Sequence, residues 1–365
     1  MLFSAYKTIL DALPEGVFVF DDRLRLQYTN AAFRGFFATE NYKKDKKSNA
    51  LAAAVGCKQQ GRCGESSACN YCAFLRTMRS AIEEKAEKTE TVHTSLQRAG
   101  RTDKLSLRIR IKPLDKKGKL FLGITDGTYE TEMEQEMLSA KRMQQRLLPS
   151  GKSMGGVAYD FLYIPCHEVG GDLPQVYELD GEVYGVLADV SGKGVSAGLL
   201  SAFVRAGLDK SERDLSKVMQ KLNGKFNEIA QDERSYITLS SVRIDKAAQK
   251  LRYCVAGHNA PILLKNRHGI NEIESPAPPI SNWMPDFAYS ENEFAFESGD
   301  ILALVTDGVT ECMNAKGEQF GIERTESVLM QSQNANDFIG KLKTALGVFS
   351  GGKFTDDVTA IAFDL

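Results

Sequence analysis

The chain has 365 residues, a formal net charge of −2, and 42% hydrophobic residues. This length accommodates two domains of ordinary globular composition, and a nearly neutral chain has no field that would attract nucleic acid or an anionic membrane surface. The sequence shows neither a signal-peptide pattern nor an apolar run of about 18 residues, so we expect a cytoplasmic protein. Seven cysteines, an odd number, favour thiols or metal ligands over a disulfide framework.

Residues 1–126 predict a first domain of short helices and antiparallel strands. A helix over residues 3–13 precedes a strand at residues 17–20, and the alternating segment 104–113 forms a hairpin with residues 119–125. The motifs that resemble a PAS sensor domain are Pro14-Glu15-Gly16, Asn30-Ala31-Ala32-Phe33 and Gly123-Ile124-Thr125-Asp126. The resemblance implies a PAS-like α/β sensor domain over this third of the chain, with a ligand that the sequence does not identify.

Four cysteines of the first domain lie within 16 residues, at Cys57, Cys63, Cys69 and Cys72. The Cys69-x-x-Cys72 pair can chelate, and four thiolates suit Zn²⁺ or an iron–sulfur cluster. A thiol switch is a second interpretation, because a Cys-x-x-Cys motif can lower the pKa of one thiol. Ordinary reduced thiols are the third, since the spacing resembles common zinc sites without matching them.

Residues 127–149 predict a helical linker, because no Gly or Pro occurs between Gly127 and Pro149. One face of this helix follows heptad spacing, with Met133, Met137, Ala140, Gln144 and Leu147. The spacing favours a parallel two-chain coiled coil and therefore a homodimer. The alternative is a single amphipathic helix that packs on its own domain.

Residues 150–365 alternate blocks of strands with blocks of helices. The predicted helices cover residues 195–208, 214–229, 324–331 and 335–348. The predicted strands include residues 236–244, 250–255, 301–305 and 358–363. This order predicts an α+β fold, in which helices cover antiparallel sheets.

A further hairpin is predicted around Asp180-Gly181, because Asp-Gly between two apolar stretches favours a two-residue type I′ turn. With these two residues as the loop, Asp172 faces Asp189. Side chains at directly opposed positions have Cβ atoms about 5 Å apart, and like charges there repel each other. The two carboxylates therefore need a shared proton or a cation between them. Pro174 predicts an edge strand or a bulge at this point.

Four aspartates share one local setting, at the start or end of an apolar run and beside a glycine or a second aspartate. They are Asp172, Asp189, Asp307 and Asp356. Hard divalent cations prefer carboxylate oxygens, and an all-oxygen set without His or Cys favours Mg²⁺ or Mn²⁺ over Zn²⁺. Solvated turn aspartates are the alternative, but four such positions, two of them facing each other, favour a metal site.

Residues 150–365 resemble the PPM-type metal-dependent serine/threonine phosphatases, in their SpoIIE-like branch. The motifs that carry the resemblance are Gln144-Gln145-Arg146-Leu147-Leu148-Pro149, Val169-Gly170-Gly171-Asp172, Ala188-Asp189-Val190-Ser191-Gly192-Lys193-Gly194, Ala256-Gly257-His258-Asn259-Ala260-Pro261, Thr306-Asp307-Gly308-Val309-Thr310-Glu311 and Asp356-Asp357-Val358-Thr359. The resemblance implies an α-β-β-α sandwich with two Mn²⁺ or Mg²⁺ ions between its sheets.

The same resemblance implies roles for the four acids, which would form the catalytic centre. Asp189 would bridge both ions, and the Val190 carbonyl would contact one of them. The further ligands would be Asp172, Asp307 and Asp356. Relatives carry a second acid where this chain has Gln175, and this difference puts the metal affinity or substrate docking in question.

The implied activity is hydrolysis of phosphoserine or phosphothreonine in proteins by water activated between two ions, without a nucleophilic Ser or Cys. By family analogy the substrate is a phosphorylated anti-sigma factor antagonist of the STAS type, and the sensor domain regulates the enzyme. A second hypothesis, which rests on Gln175, is a sensor and adaptor that binds a partner without turnover. His258 is either a proton donor or a packed histidine, and residues 275–290 are either a substrate flap or a packed surface loop.

Overall fold

The computed structural model describes residues 2–20, 26–33, 72–98, 101–114, 119–150, 152–229 and 234–365. The chain divides into two compact units, Met1–Glu136 and Met137–Leu365. The division falls within one long helix, Thr128–Gln145. Among the helices of the described residues, none is both long and apolar enough to cross a membrane.

The first unit is built around one five-stranded antiparallel sheet. Its helices and strands are α1 (Leu2–Asp11), β1 (Gly16–Phe20), β2 (Leu26–Thr29), α2 (Ala73–Glu84), β3 (Lys88–Arg98), β4 (Arg101–Pro113) and β5 (Leu120–Asp126). The strand order is β2-β1-β5-β4-β3. The predicted hairpin is confirmed, because β4 pairs with β5 from Leu107 opposite Asp126 to Pro113 opposite Leu120.

One face of this sheet packs against α2. The alternating strand β4 buries every second side chain, at Leu105, Leu107, Ile109 and Ile111. These side chains share a core with Phe18 of β1 and Met78 of α2. The intervening Arg108 and Arg110 are exposed. This period of two is the pattern that predicts a half-buried strand from sequence.

Asn30 connects the segments at the start of the first unit. Its Oδ1 accepts hydrogen bonds from the Val17 N–H at 2.8 Å and the Phe33 N–H at 3.0 Å. Its Nδ2 donates to the carbonyls of Leu10 at 2.9 Å and Glu15 at 2.8 Å. Because Asn30 is buried, one amide satisfies four backbone groups. This is the physical basis of the Asn-x-Ala-Phe motif.

The linker helix α3 spans Thr128–Gln145 and ends before the predicted limit at residue 149. Asp126 precedes it and accepts a hydrogen bond from the Thr128 N–H at 3.0 Å. Met133 is 40% exposed, whereas Gln144 on the same heptad face is 7% exposed and lies within the second unit. The C-terminal part of this face is therefore occupied by contacts of its own chain, as the alternative to a coiled coil predicts.

Two antiparallel sheets form the centre of the second unit. The strands are β6 (Ser153–Met154), β7 (Val157–Ile164), β8 (Leu173–Leu179), β9 (Glu182–Val190), β10 (Ile237–Asp245), β11 (Lys250–Ala256), β12 (Ile262–Asn266), β13 (Gly269–Ile273), β14 (Asn292–Ala295), β15 (Ile301–Val305) and β16 (Val358–Asp364). The helices are α4 (Val195–Gly207), α5 (Leu215–Ile229), α6 (Asp307–Thr310), α7 (Gly321–Met330) and α8 (Ala335–Ser350). The sheet orders are β14-β11-β10-β9-β8 and β13-β12-β15-β16-β7-β6.

Three hydrophobic layers hold the second unit together. Val183, Val242 and Phe363 belong to the layer between the two sheets. Helices α4 and α5 cover the outer face of the first sheet with side chains such as Phe226, and α7 and α8 cover the outer face of the second with side chains such as Phe338. The predicted α-β-β-α sandwich is therefore the observed architecture. Burial of each large apolar side chain contributes about 1.5–3 kcal/mol.

The hairpin of β8 and β9 has the predicted register. Asp180 and Gly181 form its loop with φ values of 52° and 79°, as a type I′ turn requires. Leu173 pairs with Ala188, so the next positions, Asp172 and Asp189, face each other where the ladder ends. Strand β8 lies at the edge of its sheet, which is why Pro174 is tolerated without a shift of register.

Candidate active site

Asp172 and Asp189 lie together at the open end of this hairpin, close enough for the charge of Asp189 to act on Asp172. Asp172 is only 2% exposed. Burial, followed by the charge of Asp189, raises the pKa of Asp172 well above its usual value. Burial, followed by the charge of Asp307, raises the pKa of Asp189 to about 7. The pair therefore favours a shared proton or a bound cation, as the predicted juxtaposition implies.

Thr306 positions two of the acids from the end of β15. Its hydroxyl donates to Asp172 Oδ2 at 3.0 Å and accepts from the Thr359 N–H at 3.1 Å. Asp307 follows directly, and its negative charge acts on Asp189. Gly308 comes next because a Cβ atom there would lie 1.9 Å from the Asp357 carbonyl oxygen. Close backbone contact thus accounts for the Thr-Asp-Gly motif.

Asp356 lies on the exposed side of the site, with a side chain that is 51% exposed. Lys193 Nζ contacts Asp356 Oδ2 at 3.0 Å and the Thr355 carbonyl at 2.6 Å. The charge of Asp356 also raises the pKa of Asp189. Lys193 therefore places one positive charge at the mouth of an otherwise acidic site.

Asp357 is a residue of the candidate site to which the sequence analysis assigned no role. It is 6% exposed and accepts hydrogen bonds from the Cys166 N–H at 2.7 Å and the Gly171 N–H at 2.5 Å. These bonds fix the Gly-Gly-Asp loop that presents Asp172. The signal in the sequence was the doubled aspartate itself, since the first acid can bind a ligand while the second binds backbone.

The Val190 carbonyl and the glycines of the next loop lie at the same end of β9 as Asp189. A Cβ atom on Gly171 would lie 3.1 Å from the Val190 carbonyl oxygen, so this carbonyl lies directly beside the Gly-Gly-Asp loop. Gly192 and Gly194 have φ values of 95° and 73°, which favour glycine. These two residues carry the chain from β9 into α4.

His258 is a packed residue whose two ring nitrogens both have partners. Its Nε2 contacts the Val305 carbonyl at 2.8 Å and must donate there. Its Nδ1 contacts the Thr238 hydroxyl at 3.3 Å, and burial lowers the pKa of the ring. Neither nitrogen is directed to a leaving group in this arrangement, which supports the packed-histidine interpretation.

Gln144 of the linker helix reaches the Gly-Gly-Asp loop. Its Nε2 donates to the Gly170 carbonyl at 2.6 Å, and its Oε1 accepts from the Gly170 N–H at 3.1 Å. The Tyr163 hydroxyl donates to the same Oε1 at 2.9 Å. The last turn of α3 is thus hydrogen-bonded to the residue two positions before Asp172.

Gln175, where the family resemblance implies an acid, is directed to the residues that follow α3. Its Nε2 donates to the Leu147 carbonyl at 2.8 Å, and its Oε1 accepts from the Arg205 guanidinium at 2.9 Å. It is 2% exposed. The amide therefore has a structural role in this chain and is already engaged away from the four acids.

Asp172, Asp189, Asp307 and Asp356 share one site, here called the acidic edge, but they do not form a closed cage. Within the described ranges, no group of three or more His, Cys, Asp and Glu side chains is close enough to hold a metal ion as it stands. The acids do act on one another, because the charges of Asp307 and Asp356 raise the pKa of Asp189. An all-oxygen set with mutual repulsion fits a hard divalent cation.

The cysteine cluster falls mostly outside the described residues. Cys57, Cys63 and Cys69 are not among them. Cys72 is a half-buried thiol directly before α2. A Zn²⁺ site, an iron–sulfur cluster and a thiol switch all stay predictions.

The fold of the second unit is of the PP2C type. The second unit is similar to the SiaA-PP2C domain of Pseudomonas aeruginosa, with a TM-score of 0.59 and 18% identity over 66% of this chain and 99% of that domain. Residues 180–365, just over half of the chain, match the family described as Stage II sporulation protein E (SpoIIE). The chain belongs to the SpoIIE family.

Three curated proteins are similar in sequence to parts of this chain. The phosphoserine phosphatase RsbP of Bacillus subtilis is 27% identical over 50% of this chain and 46% of its own length. The phosphoserine phosphatase RsbU of the same organism is 25% identical over 52% of this chain and 57% of its own length. Protein IcfG of Synechocystis is 26% identical over 66% of this chain and 42% of its own length. The chain thus spans about half the length of the curated relatives it matches.

Proposed function

We propose that the chain is a divalent-metal-dependent phosphatase that acts on phosphoserine or phosphothreonine in proteins. The observation that carries this proposal is the meeting of four acids from distant segments at strand ends of the two sheets, where the charges of Asp307 and Asp356 raise the pKa of Asp189 and the charge of Asp189 raises the pKa of Asp172. Membership of the SpoIIE family and similarity to two named phosphoserine phosphatases support it.

The residues that would hold two Mg²⁺ or Mn²⁺ ions are Asp172, Asp189, Val190, Asp307 and Asp356. When bound, such ions lower the pKa of water and stabilise charge on phosphoryl oxygens. Thr306 fixes the orientation of Asp172, and Asp357 fixes the loop before it. Lys193 adds a cation that attracts a phosphate dianion to the mouth of the site.

Hydrolysis of p-nitrophenyl phosphate and of a phosphoserine peptide, measured with Mn²⁺ and then with excess EDTA, tests the proposal. We expect turnover of both substrates that disappears with EDTA and returns when Mn²⁺ is restored. Turnover that is indifferent to the chelator would refute it. The adaptor hypothesis predicts no turnover in either condition, and its supporting feature, Gln175, already has a structural explanation.

The first unit is proposed to be a PAS-like sensor that regulates the phosphatase through α3. Its single antiparallel sheet with α2 on one face supports this assignment. The contact of Gln144 with Gly170 supports the coupling, because a displaced helix end would disturb the loop that presents Asp172. Replacing Gln144 with Leu should lower Mn²⁺ affinity if this coupling exists, whereas an unchanged affinity would exclude it.

We also propose that the chain forms a homodimer through the N-terminal half of α3. Met133 is 40% exposed and lies on the heptad face, whereas Leu138 is 48% exposed and lies outside it. Sedimentation should show a dimer that Met133→Glu dissociates and Leu138→Glu does not. A monomeric parent, or equal effects of both changes, would reject the proposal.

The substrate is proposed, by analogy alone, to be a phosphorylated STAS-type anti-sigma factor antagonist. Purified phosphorylated STAS proteins from the source organism provide the test. We expect dephosphorylation of at least one of them at a rate well above that of an unrelated phosphoprotein. Equal rates on both would show that the analogy does not extend to the substrate.

A further inference from the structure

The exposed Trp283 and Met284 and the half-buried Tyr236 form an apolar surface, here called the aromatic patch. Trp283, the single tryptophan of the chain, is 51% exposed, and Met284 is 48% exposed. The rings of Tyr236 and Trp283 are 5.6 Å apart. Isolated apolar residues on a surface need no explanation, but adjacent large ones indicate an interaction surface.

The aromatic patch borders the acidic edge. The Ser191 N–H donates to the Tyr236 carbonyl at 3.0 Å, and the Tyr236 N–H donates to the Ser191 hydroxyl at 2.9 Å. Thr238 pairs with Asp189 in the sheet, and Tyr236 lies two residues before Thr238. At about 3.4 Å per residue, the backbone of Tyr236 is therefore about 7 Å along the strand from the partner of Asp189.

The loop that carries Trp283 is fixed to the body of the unit. Ile280 and Ile237 exchange two backbone hydrogen bonds of 2.9 Å each. Asn223 of α5, which is 1% exposed, donates to the carbonyls of Met284 at 3.3 Å and Pro285 at 2.8 Å. Binding to a fixed surface costs less conformational entropy than binding to a mobile one. Large, rigid aromatic side chains of this kind dominate binding energy at protein interfaces.

We propose that the aromatic patch binds an apolar side chain of the phosphoprotein substrate, two to four residues from the phosphoserine. This inference rests on the proposed phosphatase function. An extended peptide spans about 3.3–3.6 Å per residue, so two to four residues cover the interval between the acidic edge and the patch. A small aryl phosphate lacks such a side chain, and its hydrolysis is independent of the patch.

Kinetics on two kinds of substrate test this proposal. The first is a set of polar phosphoserine peptides with a single Leu placed at each position from four before to four after the phosphoserine, and the second is p-nitrophenyl phosphate. The variants are Trp283→Ala, Met284→Ala and, as a conservative change, Trp283→Phe. The matched control is Met330→Ala, since Met330 is a methionine of similar exposure, 47%, at the C-terminal end of α7.

In the parent protein, Leu at one or two of the positions should lower KM by about tenfold, the size of a typical interface anchor. Trp283→Ala and Met284→Ala should reduce or remove this preference, Trp283→Phe should retain part of it, and Met330→Ala should leave it intact. The kcat/KM for p-nitrophenyl phosphate should stay within about twofold in every variant.

Three results would overturn the proposal. They are a parent protein with no positional preference, a preference that survives both alanine changes at the patch, and an equal loss of p-nitrophenyl phosphate hydrolysis. If the parent hydrolyses neither kind of substrate, the phosphatase function itself fails, and the docking proposal falls with it.

Discussion

The two ends of strand β9 carry acids in opposite electrostatic settings. At one end Glu182, 7% exposed, lies 2.6 Å from Arg213 and 3.9 Å from Arg243. At the other end Asp189 faces further acids. Among the described residues, the four acids take part in one ion pair, which joins Lys193 to Asp356. The acid with arginine partners at one end stabilises the fold. The acids that repel one another at the other end are suited to binding a cation.

The matched end also shows what a structural role for acids requires. Glu291 accepts from Arg243 at 3.2 Å and from the Leu215 N–H at 2.9 Å, so it joins β10 to the start of α5. Every acid there has a guanidinium or a backbone donor. Removing one member of such a buried network leaves a charge without a partner, which costs about 3–5 kcal/mol.

The largest expected effect is the loss of turnover when one of the four acids becomes an amide. Asp307→Asn and Asp356→Asn should each lower kcat/KM for a phosphopeptide by about a thousandfold or more with Mn²⁺, because each change removes a ligand charge while folding persists. Asp180→Asn is the control, since it removes a carboxylate from a type I′ turn that accepts Asn. Parent-like rates in either active-site variant would refute the role of these acids.

The next effect concerns stability and should have opposite signs at the two ends of β9. The pKa of Asp189 is about 7 in the folded chain and about 3.9 in the unfolded chain. Between these values the unfolded chain releases its proton first, so stability falls as the pH rises. Asp189→Asn removes this penalty and should raise the free energy of unfolding by about 4 kcal/mol at pH 8 in EDTA.

Glu182→Gln should lower the free energy of unfolding by about 1.5–3 kcal/mol under the same conditions, because Arg213 and Arg243 each lose one of their carboxylate partners. Urea unfolding of both variants measures the two changes. Below about pH 4 the benefit of Asp189→Asn should vanish, since both states then bind the proton. A lower free energy of unfolding for Asp189→Asn than for the parent at pH 8 would contradict the conclusion that neighbouring acids repel Asp189.

A smaller effect is expected from Asp357, which holds the loop rather than a ligand. Asp357→Asn replaces one of the two oxygens that accept backbone N–H groups, and should weaken Mn²⁺ binding about 10–100-fold, as outer-shell changes do. Asp364→Asn is the matched control, because Asp364 at the other end of β16 also accepts a backbone N–H, from Ala335. Calorimetric titration gives the Mn²⁺ affinities of both variants. Equal affinities would show that Asp357 does not support the metal site.

The smallest effect is expected at Gln175, where the chain departs from its relatives. Gln175→Asp should change Mn²⁺ affinity by less than about threefold, because this position is directed to Leu147 and Arg205. The same titration measures it. A tenfold tightening would show that position 175 does contribute to the metal site.

Local signals were sufficient to predict the hairpin and the acid pair. Asp180-Gly181 specifies its own turn, and the register then follows by counting to Asp172 and Asp189. The alternation of β4 likewise predicted its buried face. These features depend on neighbours within one hairpin, which is why sequence alone contains them.

Other features depend on partners that are distant in the chain. Asp357 bonds to Gly171 across 186 positions, and its role depends on which strands become neighbours. Gln144 was assigned to a heptad face by its spacing, yet its amide fits the backbone of Gly170. Neither contact has a local signature, because a polar residue that caps a distant loop resembles any other polar residue.

Anomalous diffraction at the manganese absorption edge, from crystals grown with Mn²⁺, tests the central claim most directly. The account predicts two peaks among the carboxylates of Asp172, Asp189, Asp307 and Asp356. An otherwise intact sandwich with no peak among these four side chains, at a Mn²⁺ concentration that supports turnover, would contradict it.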